Sequence, residues 1–139
     1  MPVLLGQALA VYGARMRSAL ADAGYDDVPD SGIYIISGLA RRRGGRPLGQ
    51  LVAELGVSKQ AASQLVDLLV VRGYLSREPD QVDRRRLTIA LTERGRAAAR
   101  VVGSARHAID AALTVAVGAQ EFERTRRTLA AITEIATTR

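Results

Sequence analysis

Residues 56–91 read GVSKQAASQLVDLLVVRGYLSREPDQVDRRRLTIAL. Ser58 is a good helix N-cap, because its hydroxyl accepts from the first unpaired backbone N–H groups. Behind it, Ala62, Leu65, Val66 and Leu69 recur at i, i+3, i+4 and i+7, the apolar stripe of an amphipathic helix. Lys59, Gln60, Ser63, Gln64 and Asp67 fall on the opposite face, and Gly73 ends the element. In the run 87–91, Leu87, Ile89 and Leu91 alternate with Thr88 and Ala90, the pattern of a half-buried strand. Tyr74 to Arg77 is the matching strand, and the connection EPDQVDRRR holds the turn signal Pro79-Asp80.

Upstream, Leu48, Leu51, Val52 and Leu55 share one face of a short helix, and Gly56 supplies a left-handed C-cap. Two short helices about a Gly-containing turn, followed by a β hairpin, form a winged helix-turn-helix. Residues 3 to 21 predict an N-terminal helix, with Leu4, Leu5, Ala8, Leu9, Tyr12, Met16 and Leu20 at spacings of three and four. A loop spans Gly24 to Ser31. Asp30 or Ser31 is expected to cap a second helix through Ile33, Ile36, Leu39 and Ala40, which Arg43-Gly44-Gly45-Arg46-Pro47 breaks. Thr92 caps a long helix from Glu93 to about Val115, Gly118 breaks it, and a last helix runs from about Gln120 to Ala136. The expected fold is mainly α with a small β hairpin.

Composition narrows the function. At 139 residues the chain suits one compact domain. Aromatics are 4%, so the core must rest on Leu, Val, Ile and Ala, which favours helices. There is no cysteine, which excludes disulfides, thiol sensing and cysteine metal sites in this sequence. The single His107 builds no zinc site without carboxylates. No nucleophile–base pairing, glycine-rich phosphate loop or metal-ligand spacing is visible, so neither an enzyme nor a cofactor is expected. No apolar run is long enough for a membrane span. Arg15 and Arg17 lie too late for a secretory signal, and a cytoplasmic protein is expected.

The net charge of +6 is concentrated. Residues 41–86 hold ten basic side chains against five acidic ones, or +5, which leaves +1 for the rest. That is the footprint of a polyanion partner. The plain alternative is a solvated basic face, and the motif decides between them. The major groove admits one helix, whose N-terminal side chains read base edges. Ser58, Lys59, Gln60, Ser63 and Gln64 suit that task, with Gln matched to adenine and Ala61 or Ala62, whichever faces out, to a thymine methyl. Arg84, Arg85 and Arg86 in the hairpin loop suit a narrow minor groove, whose negative potential attracts arginine. Asp83 is placed to hold one guanidinium by a charge-assisted bond.

The pieces VAELGVSKQ (52–60), S-x-L-V-D-x-L (63–69), RGYL (72–75), P-D-x-x-D-R-R (79–85) and L-T-x-x-G (91–95) together resemble the MarR family of bacterial transcription regulators. The resemblance is strong over about residues 48 to 98, and at both ends only the helix pattern agrees. It implies a homodimer on a pseudo-palindromic operator in double-stranded DNA. Residues 1–30 and 93–139 would form the dimerisation base, and 31–92 the DNA-binding region. It also implies that Arg85 is the wing-tip residue entering the minor groove, that Asp83 orients the wing, and that Ser58, Gln60, Ala62 and Ser63 face DNA. The chain departs from the family at Gln64, where Arg is frequent, and at Val70 and Val71, which replace a charged pair. An apolar helix end there calls for a covering element.

The resemblance further implies a repressor released by a small aromatic effector bound between base and reading domain. Tyr12, Met16, Tyr34 and His107 are the candidate effector residues. Each also has a plain reading: core or dimer contact for Tyr12 and Met16, packing beside Ile33 and Ile36 for Tyr34, and surface or dimer contact for His107. A constitutive DNA binder without an effector, and a winged-helix protein-interaction module, are the alternatives.

Overall fold

The computed structural model describes residues 1–41 and 45–137, with the side chains of residues 54, 55, 136 and 137 left out. Contacts divide the chain into two compact units, Met1–Ala105 and Arg106–Arg139.

The first unit opens with α1 (Pro2–Asp22) and α2 (Asp30–Ala40). The expected cap on α2 falls elsewhere. Pro29 is the N-cap, extended at φ −68°, and no side chain caps the helix. Proline's fixed φ already sets the entry, and Asp30 moves into the first turn, where a carboxylate favours the positive helix end. There it pairs with Arg17 at 3.2 Å. Of the predicted breaker after α2, Arg43 and Gly44 lie outside the described residues. Arg46–Pro47 forms a two-residue strand, β1, which no alternation could announce.

Next come α3 (Leu48–Leu55), α4 (Lys59–Val71), β2 (Leu75–Pro79), β3 (Leu87–Leu91) and α5 (Glu93–Val117). Gly56 is left-handed at φ 63°, as its place between two helices requires. The Ser58 hydroxyl accepts from the Ala61 amide at 3.1 Å. The sheet is three-stranded and antiparallel in the order β1-β3-β2, so the expected hairpin gains an edge strand. Its register runs from Leu75 opposite Leu91 to Pro79 opposite Leu87. Pro47 is tolerated because it sits on the edge, opposite Thr88.

The core of this unit gathers Met16 and Leu20 from α1, Ile33, Ile36 and Leu39 from α2, and Val66 and Leu69 from α4. Leu75 and Ile89 of the sheet and Ala98 and Val102 of α5 complete it. Toward its N-terminus α1 turns apolar side chains outward: Val3, Leu4, Leu9 and Val11 are exposed. At the end of α4 the expected covering holds for one residue of the pair: Val70 is half-buried against the core, while Val71 is exposed.

One close approach fixes where α5 starts. Thr92 accepts from the Gly95 amide at 3.0 Å and donates its hydroxyl to the Gly73 carbonyl at 2.5 Å. Its own amide donates to the Tyr74 carbonyl at 3.1 Å. A Cβ at Gly95 would lie 2.1 Å from that carbonyl oxygen. The L-T-x-x-G motif is thus a helix cap plus the space for backbone-on-backbone packing.

The second unit comprises the end of α5 and α6 (Ala119–Thr137), joined at Gly118 with φ 88°. Glu121 pairs with Arg124 and Glu123 with Arg126, each across one turn. Leu129, Ile132 and Ile135 are exposed, as are Leu113, Val115 and Val117.

Gly95→Ala is expected to destabilise the protein by about 1–3 kcal/mol, the usual cost of forcing extra volume into a packed contact. Gly103→Ala, whose Cβ meets nothing within 4 Å, is expected to stabilise it by about 0.5–1 kcal/mol. Urea unfolding of both variants beside the wild type checks the pair.

Candidate nucleic-acid interface

The two faces of α4 are sharply separated. Ala62, Val66 and Leu69 are 0% exposed. Lys59, Gln60, Ala61 and Gln64 are exposed and Ser63 is half-buried. Ala62, expected among the residues facing DNA, therefore leaves the candidate set: a side chain with no accessible surface touches no partner. Ala61 is the alanine that faces out. Leu65, expected in the buried stripe, is half-buried at its margin. Ser58 is exposed at the helix start, but its hydroxyl is committed to the cap.

The wing loop is held by its own carboxylates. The Asp80 side chain accepts from the Val82 amide at 2.9 Å, and the Asp83 side chain from the Arg85 amide at 3.1 Å. Two backbone bonds close the loop, Asp80 N–H to the Arg86 carbonyl and Arg86 N–H to the Asp83 carbonyl, each 2.9 Å. Asp83 thus orients the backbone of Arg85 and grips no guanidinium among the described residues, because its Asx turn places the carboxylate over the next amides. Arg84, Arg85 and Arg86 are all exposed. Helix and wing are joined directly, since Arg77 of β2 donates to the Asp67 carboxylate on α4.

A second network, unforeseen in the sequence, ties the loop before α2 to the end of α4 and the start of α5. Tyr74 is fully buried and its hydroxyl donates to the Asp27 carboxylate. Arg94 donates to the same hydroxyl at 3.0 Å, and its guanidinium lies 4.6 Å from the Tyr74 ring centre and 5.3 Å from that of Tyr25. Arg72 donates to the Asp27 backbone carbonyl. The available signal was the RGYL motif itself, in which a buried tyrosine needs a partner for its hydroxyl. Burial first, and then the bond to Asp27, push the Tyr74 phenol up to about 12. The Tyr74 bond holds the Asp27 carboxyl below the usual carboxylate range.

The candidate effector residues do not all meet. Met16 and Tyr34 line a cavity of about 260 Å³ between α1 and α2, together with Leu9, Gly13 and Ile33. Tyr12 packs against the core and is not among its lining residues. His107 is exposed on α5 in the second unit. Among the described residues no cluster of His, Cys, Asp or Glu is able to hold a metal ion. No described helix is long and apolar enough to cross a membrane.

A helix-turn-helix followed by a wing with three exposed arginines defines the class: a winged helix-turn-helix protein. Residues 26–86 match the model of the MarR family. Solved structures share the fold along nearly the whole chain. Streptococcus pneumoniae FabT in complex with DNA is 18% identical with a TM-score of 0.80, over 98% of this chain and 94% of its own. RV1404 from Mycobacterium tuberculosis is 27% identical with a TM-score of 0.71, over 98% and 90%. NadR in complex with 4-hydroxyphenylacetate is 21% identical with a TM-score of 0.77, over 96% and 92%. No protein of curated function matches the sequence.

The Tyr74 network makes stability depend on pH at both extremes. Between about pH 10 and pH 12 an unfolded chain loses the phenolic proton that the fold retains, so stability falls as pH rises through that window. Below about pH 4 an unfolded Asp27 takes up a proton that the fold resists, so stability falls again as pH drops. Tyr74→Phe is expected to remove the alkaline loss. Denaturant midpoints of wild type and variant across pH 8–12, read beside tyrosinate absorbance, check this.

Proposed function

We propose that the chain is a dimeric, sequence-specific DNA-binding transcriptional regulator, a repressor in its simplest form, released by a small-molecule effector. The observation that carries the reading is the pairing of two surfaces. One is a helix whose inner face is wholly buried while Lys59, Gln60 and Gln64 stand out. The other is an adjoining wing that presents Arg84, Arg85 and Arg86 on a loop fixed by its own hydrogen bonds. In this reading Lys59, Gln60, Ser63 and Gln64 meet the major groove and Arg85 enters the minor groove. Asp83 sets the wing.

The dimer is supported by apolar surface at the chain's ends. Val3, Leu4 and Leu9 of α1, and Leu129, Ile132 and Ile135 of α6, are exposed in the single chain. Residues 1–30 and 93–139 are assigned to the dimerisation base and 31–92 to DNA reading, with the protein at work in the cytoplasm. Two reading helices spaced by one helical turn then address a pseudo-palindromic operator. Among the similar structures, FabT is in complex with DNA and NadR with 4-hydroxyphenylacetate, which supports a DNA partner and an effector here.

The deciding experiment is titration of the purified protein onto the DNA flanking its own gene, at two salt concentrations, against unrelated DNA. Roughly eight phosphate contacts per dimer give a slope of about −7 in log affinity against log salt. Equal, weak binding to both DNAs would count against a sequence-specific regulator and for an interaction module. Arg85→Ala is expected to weaken operator binding by roughly 1–3 kcal/mol with the dimer intact. Gln60→Ala is expected to relax preference at one base pair, which competition with single-base operator variants reads out.

A further inference from the structure

The wing carries two exposed aliphatic side chains that its arginines do not account for. The run Val82-Asp83-Arg84-Arg85-Arg86-Leu87 sets one on each side of the basic cluster. Val82 is 96% exposed, more than any other large hydrophobic side chain among the described residues, and Leu87 is 56% exposed. We infer that Val82 and Leu87 are DNA contacts of a different kind from the arginines between them: they pack on the deoxyribose walls of the minor groove and supply an apolar part of the binding that salt does not screen. The inference rests on the regulator reading above and deepens it at the wing.

The fold has little use for either side chain. Val82 borders a cavity at the root of the wing, but at that exposure it packs on almost nothing. Leu87 alternates with the buried Ile89 and stands opposite Pro79, which is exposed too. It therefore lies on the core-side face of the hairpin but past the end of the core. Arg77, opposite Ile89, shares that face and donates to the Asp67 carboxylate of α4. Leu87 thus looks out on the side of the wing that α4 occupies.

Both side chains are held in place by their backbone. The Val82 amide donates to the Asp80 carboxylate at 2.9 Å, and the Asp80 amide closes the loop onto the Arg86 carbonyl at 2.9 Å. Leu87 follows at once as the first residue of β3. A β-branched side chain on a pinned backbone has little rotamer freedom left to lose on contact.

The neighbouring charge selects the partner. Arg84, Arg85 and Arg86 are all exposed, so a surface that covers the two aliphatics also meets three guanidinium groups and must be anionic and apolar side by side. A minor groove is such a surface: phosphates rim it, and deoxyribose C–H groups form its walls. Apolar side chains recur among proteins that bind there. An arginine attracted into the groove takes its centre, which leaves the walls to the residues on either side. The two kinds of contact differ in their response to salt. Arginines on phosphates displace counterions and weaken as salt rises. Aliphatic groups displace only water.

The test compares Val82→Ser, Leu87→Ser and the conservative Val82→Ile in the full chain. Binding to a fluorescent duplex of the DNA flanking its own gene is followed by anisotropy over a range of salt. Hydroxyl-radical cleavage of the same duplex reports which deoxyribose C–H groups are covered. Each serine variant is expected to bind roughly three- to tenfold more weakly, with the wild-type slope of log affinity against log salt. Part of the sugar protection seen with the wild type is lost in these variants while the rest persists. Val82→Ile is expected to bind as the wild type does or more tightly, and thermal midpoints equal to the wild type's show that all three variants fold. Unchanged affinity in both serine variants overturns the inference and leaves the aliphatics to a partner other than DNA. A loss with an altered salt slope, a loss with an unaltered cleavage pattern, or a loss in Val82→Ile as large as in Val82→Ser overturns it as well. Failure of the wild type to prefer its own flanking DNA would instead overturn the regulator reading. The same variants on the unrelated duplex would then still decide the apolar contact, because sugar walls are common to every sequence.

Discussion

The carbonyl oxygen of Tyr74 has a helix packed almost directly against it. The Thr92 amide donates to it, and Gly95 leaves no room there for a side chain. The same residue buries its ring completely and sends its hydroxyl to Asp27, with Arg94 closing over both. Three segments distant in sequence thus meet on one residue: the loop before α2, the end of α4 with the start of the sheet, and the first turn of α5. The packing of the first turn of α5 on α4 and the sheet follows from this junction, because a helix cannot slide past a contact that depends on a missing Cβ.

Much of this architecture was legible because periodicity and capping act locally. The stripe Ala62, Val66 and Leu69, the cap at Ser58, the left-handed Gly56 and the cap at Thr92 each need only a few residues of context. What escaped needed partners far along the chain. A two-residue strand at Arg46–Pro47 carries no pattern, and only its pairing with Ile89 and Thr88 makes it a strand. Asp30 looked like a cap because Asp often is one. Pro29 already set the helix entry, so Asp30 became a first-turn residue paired with Arg17.

The candidate site divides in the same way. The outward phase of Lys59, Gln60 and Gln64 followed from helix geometry, and the arginine run was plain to see. Family position placed Ala62 toward DNA, whereas its phase with Val66 and Leu69 puts it inside. Asp83 was expected to act on a guanidinium, but its backbone turn claims the carboxylate first. Two of the four candidate effector residues, Met16 and Tyr34, do share a cavity. A larger cavity at the root of the wing escaped because it is made by what is small: Ala90 on β3, Ala99 on α5 and Gly45 just before β1.

The separation of the two faces of α4 has a consequence for descent. Ala62, Val66 and Leu69 point inward and Ser58 caps the helix, while Gln60, Ala61 and Gln64 stand free of the core. Exchanges at those outer positions leave the folding energy almost untouched, since surface changes of this kind usually cost within about 0.5 kcal/mol. Duplicated copies of such a chain are therefore free to change the surface that this helix presents without passing through unfolded intermediates.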